Sequence, residues 1–194
     1  MGIFGVVGEI SENGGQVKNL TLANSYICGG QAVGGIVGAL SGDVASIRNC
    51  TVAADVTVIA TGGEACVGGI CGDFGNNLVT NAGKCILTNC VMLGKVSAPN
   101  SDAYVGAIVG LSGTGSVTGD LISVSNCYYI TGNTTNKDGV YNFGNGSLTG
   151  SDKGCTQLAS ATADHSCLSV THKEVYNTCD GIHTQGYSGR SEYS

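Results

Sequence analysis

The chain has 194 residues, of which 11% are charged and 33 are glycine, and its formal net charge is −6. Typical soluble domains contain about 25% charged residues, so the shortage of charge disfavours long exposed helices, and glycine, at about 1 kcal/mol per residue, disfavours helix further. The eight Lys and Arg residues are scattered, which excludes the basic surface that nucleic-acid binding requires. No apolar run approaches the ~20 residues that span a bilayer, so we predict no membrane span.

The first element in chain order is a six-residue phrase that recurs four times. Its copies are Ile3–Gly8, Val33–Gly38, Val67–Gly72 and Val105–Gly110. Recurrence at a period of about 30–40 residues is typical of a repeat architecture. We therefore predict solenoid repeats over residues 1–150, with coils that begin near residues 3, 33, 67 and 105 and a degenerate fifth start near residue 140.

A second phrase follows each copy and consists of an apolar residue, a polar residue, an asparagine and a small apolar residue. Its asparagines are Asn19, Asn49, Asn89 and Asn126, and the residues after them are Leu20, Cys50, Cys90 and Cys127. After the second copy, alternation is expected to place Cys50, Val52, Ala54, Val56 and Val58 on one face. Three short strands per repeat follow from this pattern, so the expected fold is all-β, a right-handed parallel β-helix-like solenoid of about four coils.

The asparagines are suited to corners between strands. Their side chains hydrogen-bond nearby backbone and they tolerate left-handed dihedral angles. Stacked coils would bring the four asparagines above one another, where amide side chains can form a hydrogen-bonded ladder. The sequence therefore predicts a structural role for Asn19, Asn49, Asn89 and Asn126.

Cys50, Cys90 and Cys127 are expected to form an inward-facing column beside these corners. No histidine accompanies them, so packing is favoured over a metal or redox column. Adjacent coils lie about 4.8 Å apart, which would allow a bridge between Cys50 and Cys90. Cys66 is also a candidate to pair with Cys71 or Cys85, and the spacing does not decide between these pairings.

The two phrases together resemble the GLUG-motif repeats of bacterial surface proteins, which occur in large adhesin-like proteins and in some secreted IgA peptidases. The resemblance covers about residues 3–132. It departs in the first copy, where Leu20 stands in place of Cys, and in the fourth, where Ala107 stands in place of Gly. It implies a module displayed at the cell surface and leaves its ligand open.

The chain contains ten cysteines and four Asn-x-Ser/Thr sequences. Both features favour an extracellular or cell-surface location, that is, a secreted protein. The acceptor sequences begin at Asn19, Asn49, Asn133 and Asn145. Because the ladder uses the first two side chains, we expect glycans at Asn133 and Asn145, outside the repeats. The run of Met1 and Gly2 directly into a repeat suggests a segment of a longer protein.

The segment 151–194 loses both phrases and carries three cysteines and all three histidines. Zinc ligation is one interpretation, but Cys179 and His183 lack the usual knuckle spacing. A C-terminal cap or disulfide-bearing tail is the preferred interpretation.

The acidic residues are expected to fall at different offsets from the repeat phrases, so we predict no catalytic residues, cofactor site or metal site. The favoured function is a non-catalytic structural or adhesive module. The first alternative is a carbohydrate- or protein-binding module, with Tyr128, Tyr129 and Tyr141 as its ligand face. The third is a polysaccharide-degrading β-helix enzyme, which would need paired carboxylates.

The N-terminal coil is predicted to expose Ile3, Val6, Val7 and Leu20, because the repeat phrase begins by Ile3. An uncovered coil leaves strand groups and apolar side chains in water. We therefore expect self-association, or contact with neighbouring domains of a longer chain, through this coil. A host protein or glycan is a further candidate partner.

Overall fold

A computed structural model describes residues 1–8, 14–41, 44–75, 85–112, 122–130, 143–146 and 154–158, with only the backbone described in 143–146. Within these ranges the elements are short β strands, and no helix is present. Consequently no helix in the described ranges could cross a membrane. The predictions for Asn133, Tyr141, Cys167, Cys179 and the three histidines fall outside the described residues.

Five strands build each of the first three coils. The first coil contains β1 (Phe4–Val7), β2 (Gln16–Lys18), β3 (Thr21–Leu22), β4 (Tyr26–Gly29) and β5 (Ala32–Gly34). The second contains β6 (Val37–Leu40), β7 (Ser46–Arg48), β8 (Thr51–Val52), β9 (Thr57–Ala60) and β10 (Cys66–Gly68). The third contains β11 (Cys71–Phe74), β12 (Cys85–Thr88), β13 (Val91–Met92), β14 (Lys95–Ser97) and β15 (Tyr104–Gly106).

Later strands continue the same stack. The fourth coil contributes β16 (Val109–Ser112), β17 (Ile122–Ser125) and β18 (Cys127–Ile130), and a fifth contributes β19 (Phe143–Gly146) and β20 (Cys155–Leu158). Strands that occupy the same position in successive coils pair in parallel. Five parallel sheets result, with orders β1-β6-β11-β16-β19, β2-β7-β12-β17, β3-β8-β13-β18-β20, β4-β9-β14 and β5-β10-β15.

This topology confirms the expected all-β parallel solenoid, but the expectation of three strands per repeat is wrong. The chain turns at residues 53–55, between β8 and β9, where continuous alternation was expected. Ala54 is therefore exposed, whereas Cys50, Val52, Val56 and Val58 are buried as predicted. A corner restarts the alternation, so each extended run divides into shorter strands.

The first repeat phrase is aligned three residues differently from the prediction. Phe4 pairs with Val37 and Val7 pairs with Leu40. Gly5, rather than Gly8, thus lies at the position of Gly38. The first copy contains both glycines three residues apart, so the sequence offered two alignments of similar appearance.

Branched and aromatic side chains fill the interior of the coils. Ile36, Ile70 and Ile108 come from the repeat phrase, and Leu40 and Phe74 come from the strand after it; all five are fully buried. Glycines permit the tight corner beside them. A Cβ atom at Gly34 would lie 2.0 Å from the backbone oxygen of Val37, which no side chain tolerates.

The stack extends beyond residue 150. Phe143 pairs with Val109, and Cys155 pairs with Cys127. Asn145 lies in β19 opposite Leu111, so its predicted position outside the repeats is wrong. β19 lies close to the degenerate fifth start that was predicted near residue 140, although most of the small and apolar residues of the phrase are replaced around Phe143. β20 lies in the segment 151–194, which was predicted to be a cap or tail.

Candidate functional site

The corner asparagines share one unusual backbone conformation. The φ angles of Asn19, Asn49, Asn89 and Asn126 are 58°, 53°, 54° and 51°. This left-handed region is disfavoured for most L-residues and is tolerated by asparagine. Each asparagine therefore turns the chain between two strands of its coil and places the next residue inside.

Amide hydrogen bonds join these corners along the stack. The Nδ2 of Asn49 donates to Oδ1 of Asn19 at 3.1 Å, and the Nδ2 of Asn89 donates to Oδ1 of Asn49 at 3.1 Å. The backbone supports the same contact, because the amide nitrogen of Asn49 donates to the oxygen of Thr88 at 3.1 Å. Both side-chain bonds point the same way, with the NH2 group directed toward the preceding coil.

A fifth corner was missed because it carries glycine in place of asparagine. Gly154 has a φ of 73° and directly precedes Cys155. A Cβ atom there would lie 2.0 Å from the oxygen of Val124. The only signal in the sequence was the glycine–cysteine pair, which matches the last two positions of the second phrase once glycine is accepted at a left-handed corner.

Four cysteines form a buried column inside these corners: Cys50, Cys90, Cys127 and Cys155. Thiols of the first three donate to the carbonyl oxygen two residues earlier, at 3.2 Å in Cys50, 3.4 Å in Cys90 and 3.3 Å in Cys127. The hydrogen bond with Cys90, followed by burial, raises the pKa of Cys50. Burial also raises the pKa of Cys90 and Cys127, so these thiols remain protonated and pack as small apolar groups.

No disulfide joins the cysteines that the structure describes. The candidate bridges between Cys50 and Cys90, and from Cys66 to Cys71 or Cys85, are not formed in the structure. Burial, followed by the charge of Asp73, raises the pKa of Cys66 to about 12. Within the described ranges, no three or more Cys, His, Asp or Glu residues are grouped to hold a metal ion.

Tyr128 and Tyr129 do not form the predicted exposed ligand face, and Tyr141 lies outside the described residues. Tyr129 pairs with Met92 in an inward-facing column, and the residue is only 7% exposed to solvent. Tyr128 packs against a second apolar cluster outside the main core, made of Val91, Leu93, Ile130 and Leu158. Adjacent residues of β18 thus serve two separate packing layers.

The exposed tyrosines lie elsewhere. Tyr26 in β4 is 66% exposed, and Tyr104 in β15 is 37% exposed. Tyr26 belongs to a column with Thr57 and Lys95 on successive strands of one sheet. This column was not distinguished in the sequence, because tyrosine, threonine and lysine share no motif.

Two acidic residues occupy equivalent positions in adjacent coils, contrary to the expectation that the acids fall at different offsets. Glu64 and Asp102 each lie two residues before a paired residue, Cys66 and Tyr104. Both acids are exposed. Both acids stand three residues before a repeat phrase, at Val67 and at Val105, so the sequence itself contained this equivalence.

Among the residues that the structure describes, no strand pairs with the outer edges of β1, β2, β3 and β4, and we call this end of the stack the N-terminal face. Ile3 and Val6 are exposed there, as predicted, and Phe4 is exposed as well. Val7 and Leu20 were also predicted to be exposed, which is wrong. Val7 is buried in the column of Leu40, and Leu20 is half-buried against the core.

The five parallel sheets and the asparagine corners define a β-solenoid repeat module. Residues 29–57 match the family model of the GLUG motif, which confirms the resemblance inferred from the two phrases. The matched residues run from the end of β4 in the first coil, through the Asn49 corner of the second coil, to the start of β9. No curated protein matches the chain.

A solved structure with similarity to the chain is a provisionally assigned immunoglobulin A1 protease from Bacteroides ovatus. Sequence identity is 18%, the TM-score is 0.44, and the alignment covers 80% of this chain and 52% of that one. The chain therefore spans about half the length of that protein. At this TM-score the likeness supports no conclusion about activity.

Proposed function

We propose that this chain is a non-catalytic extracellular structural or adhesive module that associates with other solenoid coils through its N-terminal face. The observation that carries the proposal is the set of uncovered strand edges in four sheets, together with the exposed side chains of Ile3, Phe4 and Val6. Uncovered parallel edges favour addition of further strands. The extracellular location is supported by the GLUG match and by the glycosylation sequences.

Interior chemistry supports a structural role. The cysteine column is buried and protonated. The side chain of Asn49 is hydrogen-bonded to those of Asn19 and Asn89. These groups stabilise the stacking of coils. The proposal assigns them no contact with a ligand.

Sedimentation velocity over a concentration series tests the association. The average mass of the wild-type chain is expected to rise with concentration, and Val6→Lys is expected to reduce that rise because a charge at a strand edge opposes pairing. Val44→Lys is the matched control: Val44 is 49% exposed and lies between β6 and β7 of the second coil. A wild-type chain that stays monomeric, or equal effects of the two variants, would contradict the proposal.

A second candidate function is glycan or protein binding on the column of Tyr26, Thr57 and Lys95. Its support is the 66% exposure of Tyr26 on the face of β4, because tyrosine offers a rigid surface with one polar end. Tyr26→Ala should abolish binding of a glycan panel, and Tyr104→Ala should leave it unchanged. No binding by the wild-type chain, or the same loss in both variants, would remove this candidate.

A further inference from the structure

We infer that the N-terminal face is specific for a coil of the same five-strand repeat, docked head-to-tail with its strands parallel, and that it excludes a second N-terminal face. This inference rests on the proposed function and adds the identity and orientation of the partner. Three features of the first coil carry it: the direction of its amide ladder, the order of its sheets and the open space at Gly5.

Direction follows from the asparagine side chains. Oδ1 of Asn19 already accepts a hydrogen bond from Asn49, and the same arrangement joins Asn49 to Asn89. The NH2 group of Asn19 is therefore directed toward the incoming partner. A coil with an asparagine corner, such as that of Asn49, presents an amide oxygen to this donor when it docks head-to-tail, whereas a second N-terminal face would present another donor.

Sheet order gives an independent argument. The strands of the first coil contain 4, 3, 2, 4 and 3 residues in turn. A two-fold axis that joins two N-terminal faces turns one coil over, so the sheets follow one another in the opposite sense and cannot all align. A head-to-tail step keeps the order and repeats the parallel pairing of β1 with β6 and of β2 with β7.

Glycine at position 5 fits this partner. The equivalent glycines of the later coils lie close to the coil before them. A Cβ atom built on Gly38 would lie 2.6 Å from the oxygen of Gly5, and one built on Gly72 would lie 2.7 Å from the oxygen of Gly38. A Cβ atom built on Gly110 would lie 2.8 Å from the oxygen of Gly72. The preceding coil thus leaves no room for a side chain. At Gly5 no atom lies within 4 Å of such a Cβ, and a docked coil would close this space.

The position of Met1 indicates the register in which a further coil would dock. The backbone nitrogen of Gly34 donates to the oxygen of Met1 at 2.9 Å, and the terminal amine of Met1 contacts the oxygen of Ala32. Met1 therefore lies one coil before Gly34. A copy of residues 36–67 placed directly ahead of Met1 would supply one coil in the correct register.

Thermal unfolding of this extended chain tests the inference beside the 194-residue chain. We expect a higher melting temperature for the extended chain. Gly5→Ala should leave the melting temperature of the 194-residue chain unchanged but lower that of the extended chain by about 5 °C or more, because two or more kcal/mol of overpacking shifts it by that amount. The control Gly63→Ala, whose Cβ would lie 3.7 Å from Nδ2 of Asn100, should have the same small effect in both chains.

Asn19→Asp tests the direction of the ladder. The carboxylate still accepts from Asn49 in the 194-residue chain, so that variant should be tolerated. In the extended chain it would face an amide oxygen, and a fall of about 3 °C is expected from the lost hydrogen bond. Unchanged melting on extension, or equal effects of Gly5→Ala in both chains, would overturn the inference. A 194-residue chain that stays monomeric in sedimentation would contradict association between molecules without altering this intramolecular result.

Discussion

Substitution of Gly72 by alanine should strongly destabilise the solenoid, because a Cβ atom there meets only backbone. It would lie 2.4 Å from the nitrogen of Val33 and 2.7 Å from the oxygens of Val33 and Gly38. Carbon and oxygen atoms in ordinary contact are about 3.4 Å or more apart, so part of a coil must shift by about 0.7 Å or more. No flexible side chain can absorb that movement.

Overpacking costs typically about 1–3 kcal/mol, and three rigid neighbours place Gly72→Ala near the upper end, at about 3 kcal/mol. For a chain of this length that corresponds to a fall in melting temperature of about 6–12 °C. Circular dichroism at a β-sheet wavelength measures the transition. Gly63→Ala serves as control, since removing a glycine from an uncrowded site is worth about 0.4–1 kcal/mol of stability. Equal melting temperatures for the two variants would refute the close approach of the coils at Gly72.

Further predictions concern the columns. Cys90→Asp should be several kcal/mol worse than Cys90→Ala in denaturant unfolding, because it buries an unpaired charge; equal tolerance would place the column at the surface. Alkylation of the native chain should label exposed Cys28 and spare Cys50 and Cys90, which should react after unfolding if they are reduced. Stability should fall above pH about 8.5, where unfolded thiols ionise and the raised pKa values of the buried ones keep them protonated; Cys50→Ala with Cys90→Ala should weaken this slope. Asn49→Asp should destabilise by about 1–3 kcal/mol through loss of its bond to Asn19, and a glycan on Asn49 detected by mass spectrometry would contradict the ladder.

The sequence predicted the parts of the fold that depend on local backbone geometry. A left-handed corner accepts few residue types, so Asn49 and Asn89 repeat visibly and set the register of their coils. Cysteine after the corner must fit a fixed small space, which made the column recognisable. Gly154 satisfies the same geometry with a different residue, and for that reason the fifth corner was not recognised.

Side-chain direction after a corner was harder to predict. Tyr128 and Tyr129 suggested an exposed aromatic pair, but register with Val91 and Met92 places one in each of two packing layers. That register is a long-range property of the stack. Sequence alternation alone does not report it, since each corner resets which face the next residue joins.

The second apolar cluster has a mechanical consequence. Its members come from the third coil, with Val91 and Leu93, the fourth, with Ile130, and the fifth, with Leu158. These coils are tied together on the outside as well as through the core, while the first coil is held by its core and edge contacts alone among the described residues. A pulling force applied at the N-terminus should therefore peel β1 to β5 away first and leave the later coils folded. In a protein under tension, the first coil would act as the extensible part and the third to fifth coils as the anchor.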